Sequence, residues 1–256
     1  MAPLFGEVGT AAGRLRQRMS DADLAIVWSY DRERHLTMNL RRLGVGRVLR
    51  ADPFPRHDEP LHVGQHLLRT LIPLGIAPTG ASGIPLSLHP RDRENAEAFL
   101  GRNDLIPSQS GAPLVAVHAG AGSEAKRWRA AAFAALAARL WAEIGARLLL
   151  INGPADEAAT AEVLAHASHQ PICVADSLPL RTLAAILARC CLFVGNDSGV
   201  THLAAVAGTP TVALFGPTDP TRWHPYGPRV TVMRAERGDL SSLDPEQVLS
   251  ACLNVY

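Results

Sequence analysis

Apolar and polar positions along the chain form two kinds of pattern: short continuous apolar runs, and longer stretches in which apolar residues recur at helical spacing. The apolar runs predict strands, which we place at 24–28, 47–49, 114–118, 147–151, 172–174, 191–194, 211–215 and 230–233. A further possible strand lies at 84–88. The helical stretches are 10–19, 33–43, 62–74, 90–100, 130–144, 180–188, 200–207 and 244–252, with one more ending near Ser168. Strands that alternate with helices predict an α/β fold with a parallel sheet.

The segment 101–113 is polar and rich in helix breakers, and we place a domain boundary there. This predicts domains at 1–110 and 111–256. A chain of 256 residues, 47% hydrophobic and 19% charged, is long enough for two globular domains with cores of their own. The net charge of +1 gives no reason to expect a nucleic acid as partner.

No apolar run is long enough to cross a bilayer, and the first residues lack the basic and apolar regions of a signal peptide. We therefore expect a cytoplasmic protein with no transmembrane segment. The cysteines have neither metal-ligand nor disulfide spacing, so we expect reduced, mostly buried thiols at Cys173, Cys190, Cys191 and Cys252. Histidine and acidic residues form no cluster with metal-ligand spacing, which predicts no metal and no cofactor.

The stretch 192–220 contains a strand, a polar turn, a short helix and a second strand, which together form a βαβ unit. Asp197 and Ser198 lie in the turn, where the free N–H groups at the start of a helix can bind an anion. The alternative is that one of these residues caps the helix and that Gly199 only shapes the turn. The residues of this turn alone favour the cap.

A second loop, 118–128, joins a buried strand to an alanine-rich helix. Its small residues would let backbone N–H groups approach a pyrophosphate, and Lys126 or Arg127 would supply the opposite charge. The alternative is a flexible loop that carries two solvated basic residues.

Both loops resemble motifs of glycosyltransferase family 9, the heptosyltransferase-like enzymes. The segments that carry the resemblance are His-Ala-Gly-Ala-Gly-Ser with Lys-Arg-Trp in 118–128, Asp-Ser-Gly-x-x-His-x-Ala-Ala in 197–205, and Phe-Gly-Pro-Thr-Asp-Pro in 215–220. Ala119 departs from the proline frequent in the family, which removes no contacting group. The resemblance implies a GT-B arrangement of two Rossmann-like domains, with the donor bound by the second.

The same resemblance implies an inverting, metal-independent transfer of a sugar, heptose in the family, from a nucleotide-diphospho-sugar such as ADP-heptose. The acceptor would be a saccharide-lipid of lipopolysaccharide type at the inner membrane surface. The carboxylate that contacts the nucleoside in the family would be Asp156 or Glu157, and the sequence leaves both open. The alternative is that these acidic residues only stabilise the start of the helix. The donor-binding residues that the resemblance implies are Gly120, Gly122, Ser123, Lys126, Asp156, Glu157, Asp197, Ser198, Gly199 and His202.

The first half departs from the family, which begins with a strand and a Gly-Asp turn that supplies the proposed general base. No such segment precedes Leu24, so no catalytic residue is assigned, and we expect either a start downstream of the true one or a reduced family member. A first domain without its opening βα units would expose an apolar sheet face unless other elements cover it. Asp31, Glu33 and Asp52 are interpreted as solvated loop residues. One rival interpretation is a catalytically inactive nucleotide-sugar-binding or scaffold protein. Another is an epimerase on the same architecture, which would need an additional acid/base pair.

Overall fold

The structure is a computed structural model that describes residues 17, 19–78, 86–106, 111–167 and 170–256. The chain forms two compact units, Met1–Gly80 and Ala81–Tyr256. Most of the predicted helix 10–19 and the start of the possible strand 84–88 lie outside the described residues.

The described part of the first unit is built around two parallel strands, β1 (Leu24–Trp28) and β2 (Arg47–Ala51). Helix α1 (His35–Arg42) connects them, and α2 (Val63–Arg69) follows with a 3-10 turn at Ile72–Leu74. The predicted helix 62–74 is therefore divided in two, because a proline at position 73 cannot donate the hydrogen bond that an α-helix needs there.

The two faces of this small sheet differ in burial. Val27 packs with Leu36 and Leu40 of α1 in an apolar cluster. On the opposite face of β1, the side chains of Leu24, Ile26 and Trp28 are exposed. This confirms the expected exposed apolar face.

The second unit contains a six-stranded parallel sheet with the order β5-β4-β3-β6-β7-β8. The strands are β3 (Leu114–His118), β4 (Arg147–Asn152), β5 (Ile172–Asp176), β6 (Leu192–Asn196), β7 (Thr211–Phe215) and β8 (Val230–Arg234). Counted within the unit this is the strand order 3-2-1-4-5-6 of the Rossmann fold. The direction of winding reverses between β3 and β6, and the loops after these two strands diverge there.

Helices cover both faces of this sheet. They are α3 (Pro90–Arg102), α4 (Ala130–Ile144), α5 (Glu157–His166), α6 (Leu180–Leu187), α7 (Gly199–Val206), α8 (Pro220–Trp223) and α9 (Pro245–Val255). Successive residues of β3 enter different cores, since Val115 packs with α4 and α9 whereas Ala116 packs with α3 and α6. Burial on both faces explains why the strands are continuous apolar runs.

Helix α3 belongs to the second unit, so the division lies at Gly80 and before the predicted boundary at 110. Leu100 is fully buried in the core shared with Ile186 of α6. On the solvent side of the same contact, a guanidinium nitrogen of Arg181 lies 2.7 Å from a carboxylate oxygen of Asp92. The breaker-rich segment after α3 is therefore a connection within the second unit.

Three other predictions differ from the structure. Helix α3 continues to Arg102, two residues past the predicted end at 100, so Gly101 lies inside it. Residues 86–88 are not a strand, because the Leu86 amide donates to the carbonyl of Val206 at the end of α7. The short helix α8 was not predicted from the sequence, and the Asp219 side chain caps it. No helix in the described residues is both long and apolar enough to cross a membrane.

Candidate functional site

The two strands that meet where the sheet reverses its winding both end in a buried polar residue. His118 is the last residue of β3 and Asn196 the last of β6, and the two strands are neighbours. Both side chains are buried, at 2% and 0% exposure. Ligands of open α/β sheets bind in the crevice at the carboxyl ends of the strands at this point.

His118 joins three segments of the chain through its ring. Its Nε2 atom lies 3.1 Å from Oδ2 of Asp156 after β4, and its Nδ1 atom lies 3.2 Å from Oγ of Ser198 after β6. Burial, the largest influence, lowers the pKa of the imidazole below its ordinary value, whereas the hydrogen bond and charge of Asp156 oppose that change. The carboxyl ends of three strands are thus connected by one line of side chains.

Glycine at two positions makes room for the Asp156 carboxylate. A Cβ atom on Gly120 would lie 1.9 Å from Oδ1 of Asp156 and 2.9 Å from Nε2 of His118, which no real side chain tolerates. A Cβ on Gly153 would lie 2.7 Å from Oδ2, and the Gly153 amide donates to that same oxygen over 3.1 Å. Gly120 was expected to approach a ligand, and the structure shows that it also permits the contact between Asp156 and His118.

The two loops at this point are joined by an ion pair. Nζ of Lys126, from the first loop, lies 2.9 Å from Oδ2 of Asp197 in the second. The Lys126 side chain is 33% exposed and the Asp197 side chain 8% exposed, so the lysine is the more accessible partner of the pair. Lys126 is the only lysine in the sequence.

The Asn196 side chain holds the first loop in place through hydrogen bonds to its backbone. Its amide group donates to the carbonyl of Ala119 over 2.9 Å and accepts from the backbone amide of Trp128 over 3.0 Å. The Trp128 indole in turn donates to the carbonyl of Leu243 and lies edge-on to Phe133 at 5.0 Å between ring centroids. These contacts fix both ends of the loop that carries Lys126.

Ser198 is the N-cap of α7, since its hydroxyl accepts from the backbone amide of Thr201 over 3.4 Å. The interpretation of this turn as a cap is thus correct, and the same hydroxyl also faces His118. Thr201 donates its own hydroxyl proton to the Asn196 carbonyl. Gly199 is exposed, and a Cβ atom there would meet nothing within 4 Å.

His202 lies in the first turn of α7 and is partly buried. Burial is the largest influence and lowers the pKa of its imidazole, and the nearby His224 lowers it further. The charge of Asp197 acts in the opposite direction. His202 therefore belongs to the same electrostatic environment as the ion pair between the two loops.

The remaining predicted site residues lie at the surface. Gly122 and Ser123 are exposed in the first loop, where the Ser123 carbonyl accepts from the Lys126 amide. Glu157 is exposed in the first turn of α5, one residue after Asp156. The two carboxylates that the sequence left as alternatives thus have different surroundings, because only Asp156 is bonded to His118.

The first-unit carboxylates have structural partners. Asp31 was expected to be solvated, but it accepts from the Leu36 and Thr37 amides and from the Thr37 hydroxyl, where it caps α1. Burial, the largest single influence, raises the pKa of this carboxyl, but these hydrogen bonds together hold it below its ordinary value. Glu33 pairs with a histidine on α1 and Asp52 with Arg50.

His118 was quoted in a sequence motif without a role and Asn196 was not singled out, and the structure brings both to the candidate site. The signal available in the sequence was a polar residue at the end of a strand that is otherwise apolar. The described cysteines form no disulfide, and desolvation raises the pKa of Cys191 to about 11. Within the described ranges no three metal-ligating side chains converge.

Comparison with known proteins identifies the family. The model of glycosyltransferase family 9 (heptosyltransferase) matches residues 66–252, which is more than half of the chain. The chain belongs to glycosyltransferase family 9. This family 9 chain is 30% identical to lipooligosaccharide heptosyltransferase 2 of Haemophilus influenzae over 151 residues, or 57% of its length. It is 31% identical to lipopolysaccharide heptosyltransferase 3 of Escherichia coli over 180 residues, or 66% of its length.

The fold of this family 9 chain agrees with solved structures. It superposes on the glycosyl transferase family 9 protein from Veillonella parvula with a TM-score of 0.80 and 23% identity, covering 98% of this chain and 79% of that one. For E. coli ADP-heptose heptosyltransferase II the TM-score is 0.72 at 20% identity, with coverage of 94% and 79%. The predicted α/β, GT-B-like fold class is confirmed. The chain spans only 41% and 50% of the two sequence relatives named above.

Proposed function

We propose that this family 9 protein is a glycosyltransferase that binds a nucleotide-diphospho-sugar at the crevice between β3 and β6 and transfers its sugar. The observation that carries the proposal is the ion pair of Lys126 with Asp197, which lies next to the N-cap Ser198 where the Rossmann-like sheet reverses its winding. A partly exposed ammonium group next to the start of a helix provides the charge and the donors that a diphosphate needs.

In this proposal the diphosphate lies between Lys126 and the start of α7. As the bond to the sugar breaks, negative charge grows on the departing phosphate, and Lys126 together with the N–H groups of α7 stabilises it. Ser123 and the backbone around Gly120 and Gly122 would contact the same group from the first loop. His202 would contact the sugar or its phosphate from the first turn of α7.

We assign the ribose contact to Glu157. A carboxylate after the second strand of a Rossmann unit accepts hydrogen bonds from ribose hydroxyls, and β4 is the second strand of this unit. Asp156 uses Oδ2 for His118 and Gly153, whereas Glu157 is exposed. Asp156 then acts on the donor site through His118.

The donor that fits best is ADP-heptose, and the acceptor a lipopolysaccharide-type saccharide-lipid at the inner membrane surface. Support for the donor comes from one E. coli heptosyltransferase of related fold, WaaC, whose structure was solved with ADP and with ADP-2-deoxy-2-fluoro heptose. Support for the acceptor comes from the names of the sequence relatives, which are lipopolysaccharide and lipooligosaccharide heptosyltransferases. The transfer would invert the anomeric centre and need no metal.

Calorimetric titration of the chain with ADP-heptose, ADP and UDP-glucose tests the donor. We expect ADP-heptose to bind, and Lys126→Ala and Asp197→Ala to weaken binding by about ten- to a hundredfold, because each removes a charged hydrogen bond. Glu157→Gln should weaken ADP and ADP-heptose together, whereas Glu162→Gln, an exposed residue on the same helix, should not. A folded chain that binds none of the three ligands would contradict the proposal.

Catalysis is tested separately from binding. ADP release is measured from ADP-heptose in the presence of lipopolysaccharide that lacks its heptoses, and again without the acceptor. We expect release that depends on the acceptor. Binding without any release would favour the inactive nucleotide-sugar-binding protein over the transferase.

A further inference from the structure

Two hydrogen-bond roles at His118 follow from its partners. A carboxylate only accepts hydrogen bonds, so the contact of 3.1 Å with Asp156 assigns a ring proton to Nε2. In the neutral ring, Nδ1 then holds a lone pair, and the hydroxyl of Ser198, 3.2 Å away, donates to it. The single hydroxyl proton of Ser198 is thereby used in a hydrogen bond within the protein and is not available to a ligand.

The other contacts of Ser198 leave that assignment in place. Its oxygen accepts from the Thr201 amide over 3.4 Å and lies 3.2 Å from the Thr201 hydroxyl. That hydroxyl gives its own proton to the Asn196 carbonyl. Toward a ligand in the crevice, Ser198 therefore presents its remaining lone pair, which repels an anionic oxygen.

A proton on Nδ1 reverses this polarity. The imidazolium ion donates from both nitrogens, so Ser198 accepts from Nδ1 and its own proton becomes available to an oxygen in the crevice. We propose that His118 is a positioning residue that takes up one proton from solvent when a diphosphate binds, and that this proton turns Ser198 into a donor toward the ligand. The inference rests on the proposed function, and no bond of the ligand breaks in this step.

The charges around the ring favour uptake only when a ligand is present. Asp156 faces Nε2 from the β4–α5 turn and favours the cation, whereas burial disfavours it. On the adjoining loops Lys126 and Asp197 neutralise each other, and His202 lies on α7 within the field of Asp197. A bound diphosphate adds negative charge beside Ser198, and that charge stabilises the imidazolium.

Proton uptake is measured by titrating ADP-heptose into the chain in buffers of different ionisation enthalpy at one pH. The two phosphates of this ligand carry no proton that titrates near neutral pH, so the protons counted belong to the protein. We expect net uptake, and an affinity that falls by up to about tenfold for each unit of rising pH until the ring stays neutral in the complex.

Three variants separate the switch at Ser198 from a simple charge effect. His118→Gln can still donate to Asp156 and accept from Ser198 but cannot ionise, so its binding should be weak and independent of pH. Ser198→Ala keeps the imidazole and should lose most of the uptake, and Ser198→Thr should restore it. Thermal melts verify that each variant is folded.

The outcomes distinguish this inference from the proposed function. Binding by the unmodified chain without proton uptake would overturn the inference and leave the donor site intact. Uptake of the same size in Ser198→Ala would also overturn it, because His118 would then act on the ligand by charge alone. Absence of binding to the folded chain would contradict the proposed function itself, and the inference with it.

Discussion

Nζ of Lys126 lies 2.9 Å from Oδ2 of Asp197, and this contact joins two loops that are 71 positions apart in the sequence. The carboxylate is the more buried partner. Asp197 thus fixes the position of the Lys126 ammonium group between the two loops.

Chemical labelling of this lysine offers a direct test of the donor site. Because Lys126 is the only lysine in the sequence, an amine-acetylating reagent has two targets, its side chain and the terminal amine. We expect ADP-heptose to slow acetylation of Lys126 and to leave the terminal amine unaffected, as measured by mass spectrometry of peptides. The terminal amine is therefore an internal control. Equal protection of both amines, or of neither, would show that the ligand does not cover Lys126.

Gly120 and Gly122 form a matched pair of substitutions in one loop. Gly120→Ala would place a Cβ atom 1.9 Å from Oδ1 of Asp156, whereas the same change at Gly122 meets nothing within 4 Å. We expect Gly120→Ala to lower the free energy of unfolding by about 1–3 kcal/mol and to weaken ADP-heptose binding. Gly122→Ala should change stability by under about 0.5 kcal/mol. Urea unfolding and calorimetry measure the two effects, and equal behaviour of the variants would contradict this packing account.

Asn196→Ala tests the support of the first loop. The substitution leaves a buried carbonyl at Ala119 and a buried amide at Trp128 without their partner. We expect a loss of about 3 kcal/mol in the free energy of unfolding. Asn103→Ala, which removes an exposed hydrogen bond to the Phe99 carbonyl, is the control and should cost under about 1 kcal/mol. A smaller loss at Asn196 than at Asn103 would show that the loop is held in another way.

The ion pair of Asp92 on α3 with Arg181 on α6 should make the free energy of unfolding depend on pH in the acidic range. The hydrogen bond and charge of Arg181 hold the pKa of Asp92 below its ordinary value. The contribution of the Asp92 carboxylate to the free energy of unfolding is therefore fully present above its unfolded pKa of about 3.9. It is lost as the pH falls through the lower pKa of the folded state.

We expect Asp92→Asn to be less stable than the unmodified chain at neutral pH, and the difference to shrink toward zero in acid. Urea unfolding at a series of pH values measures it. Glu94→Gln, an exposed change on the same helix, should show a smaller difference at every pH. A stability difference for Asp92→Asn that stays constant into acid would mean that the carboxylate acts by shape and not by charge.

Two fully buried strands and one long helix were predicted with the bounds that the structure shows. The strands 114–118 and 211–215 and the helix 130–144 agree at both ends with β3, β7 and α4. The two strands are continuous apolar runs, and Gly145 ends the helix in the left-handed conformation that glycine favours. The helix predicted at 33–43 is shorter, His35–Arg42. Its first turn is capped by the Asp31 side chain, which accepts from the Thr37 amide and lies before the predicted helix.

Local patterns along the sequence determined the strands, the helices and the two loops with their family motifs, since these depend on neighbouring residues. Tertiary structure alone decided that His118 bonds to Asp156 and Ser198, which lie 38 and 80 positions away. It also separated Asp156 from Glu157, because adjacent residues at the start of a helix point in different directions. The order of strands in a sheet is set by packing between distant segments, and that order brings these side chains to one edge.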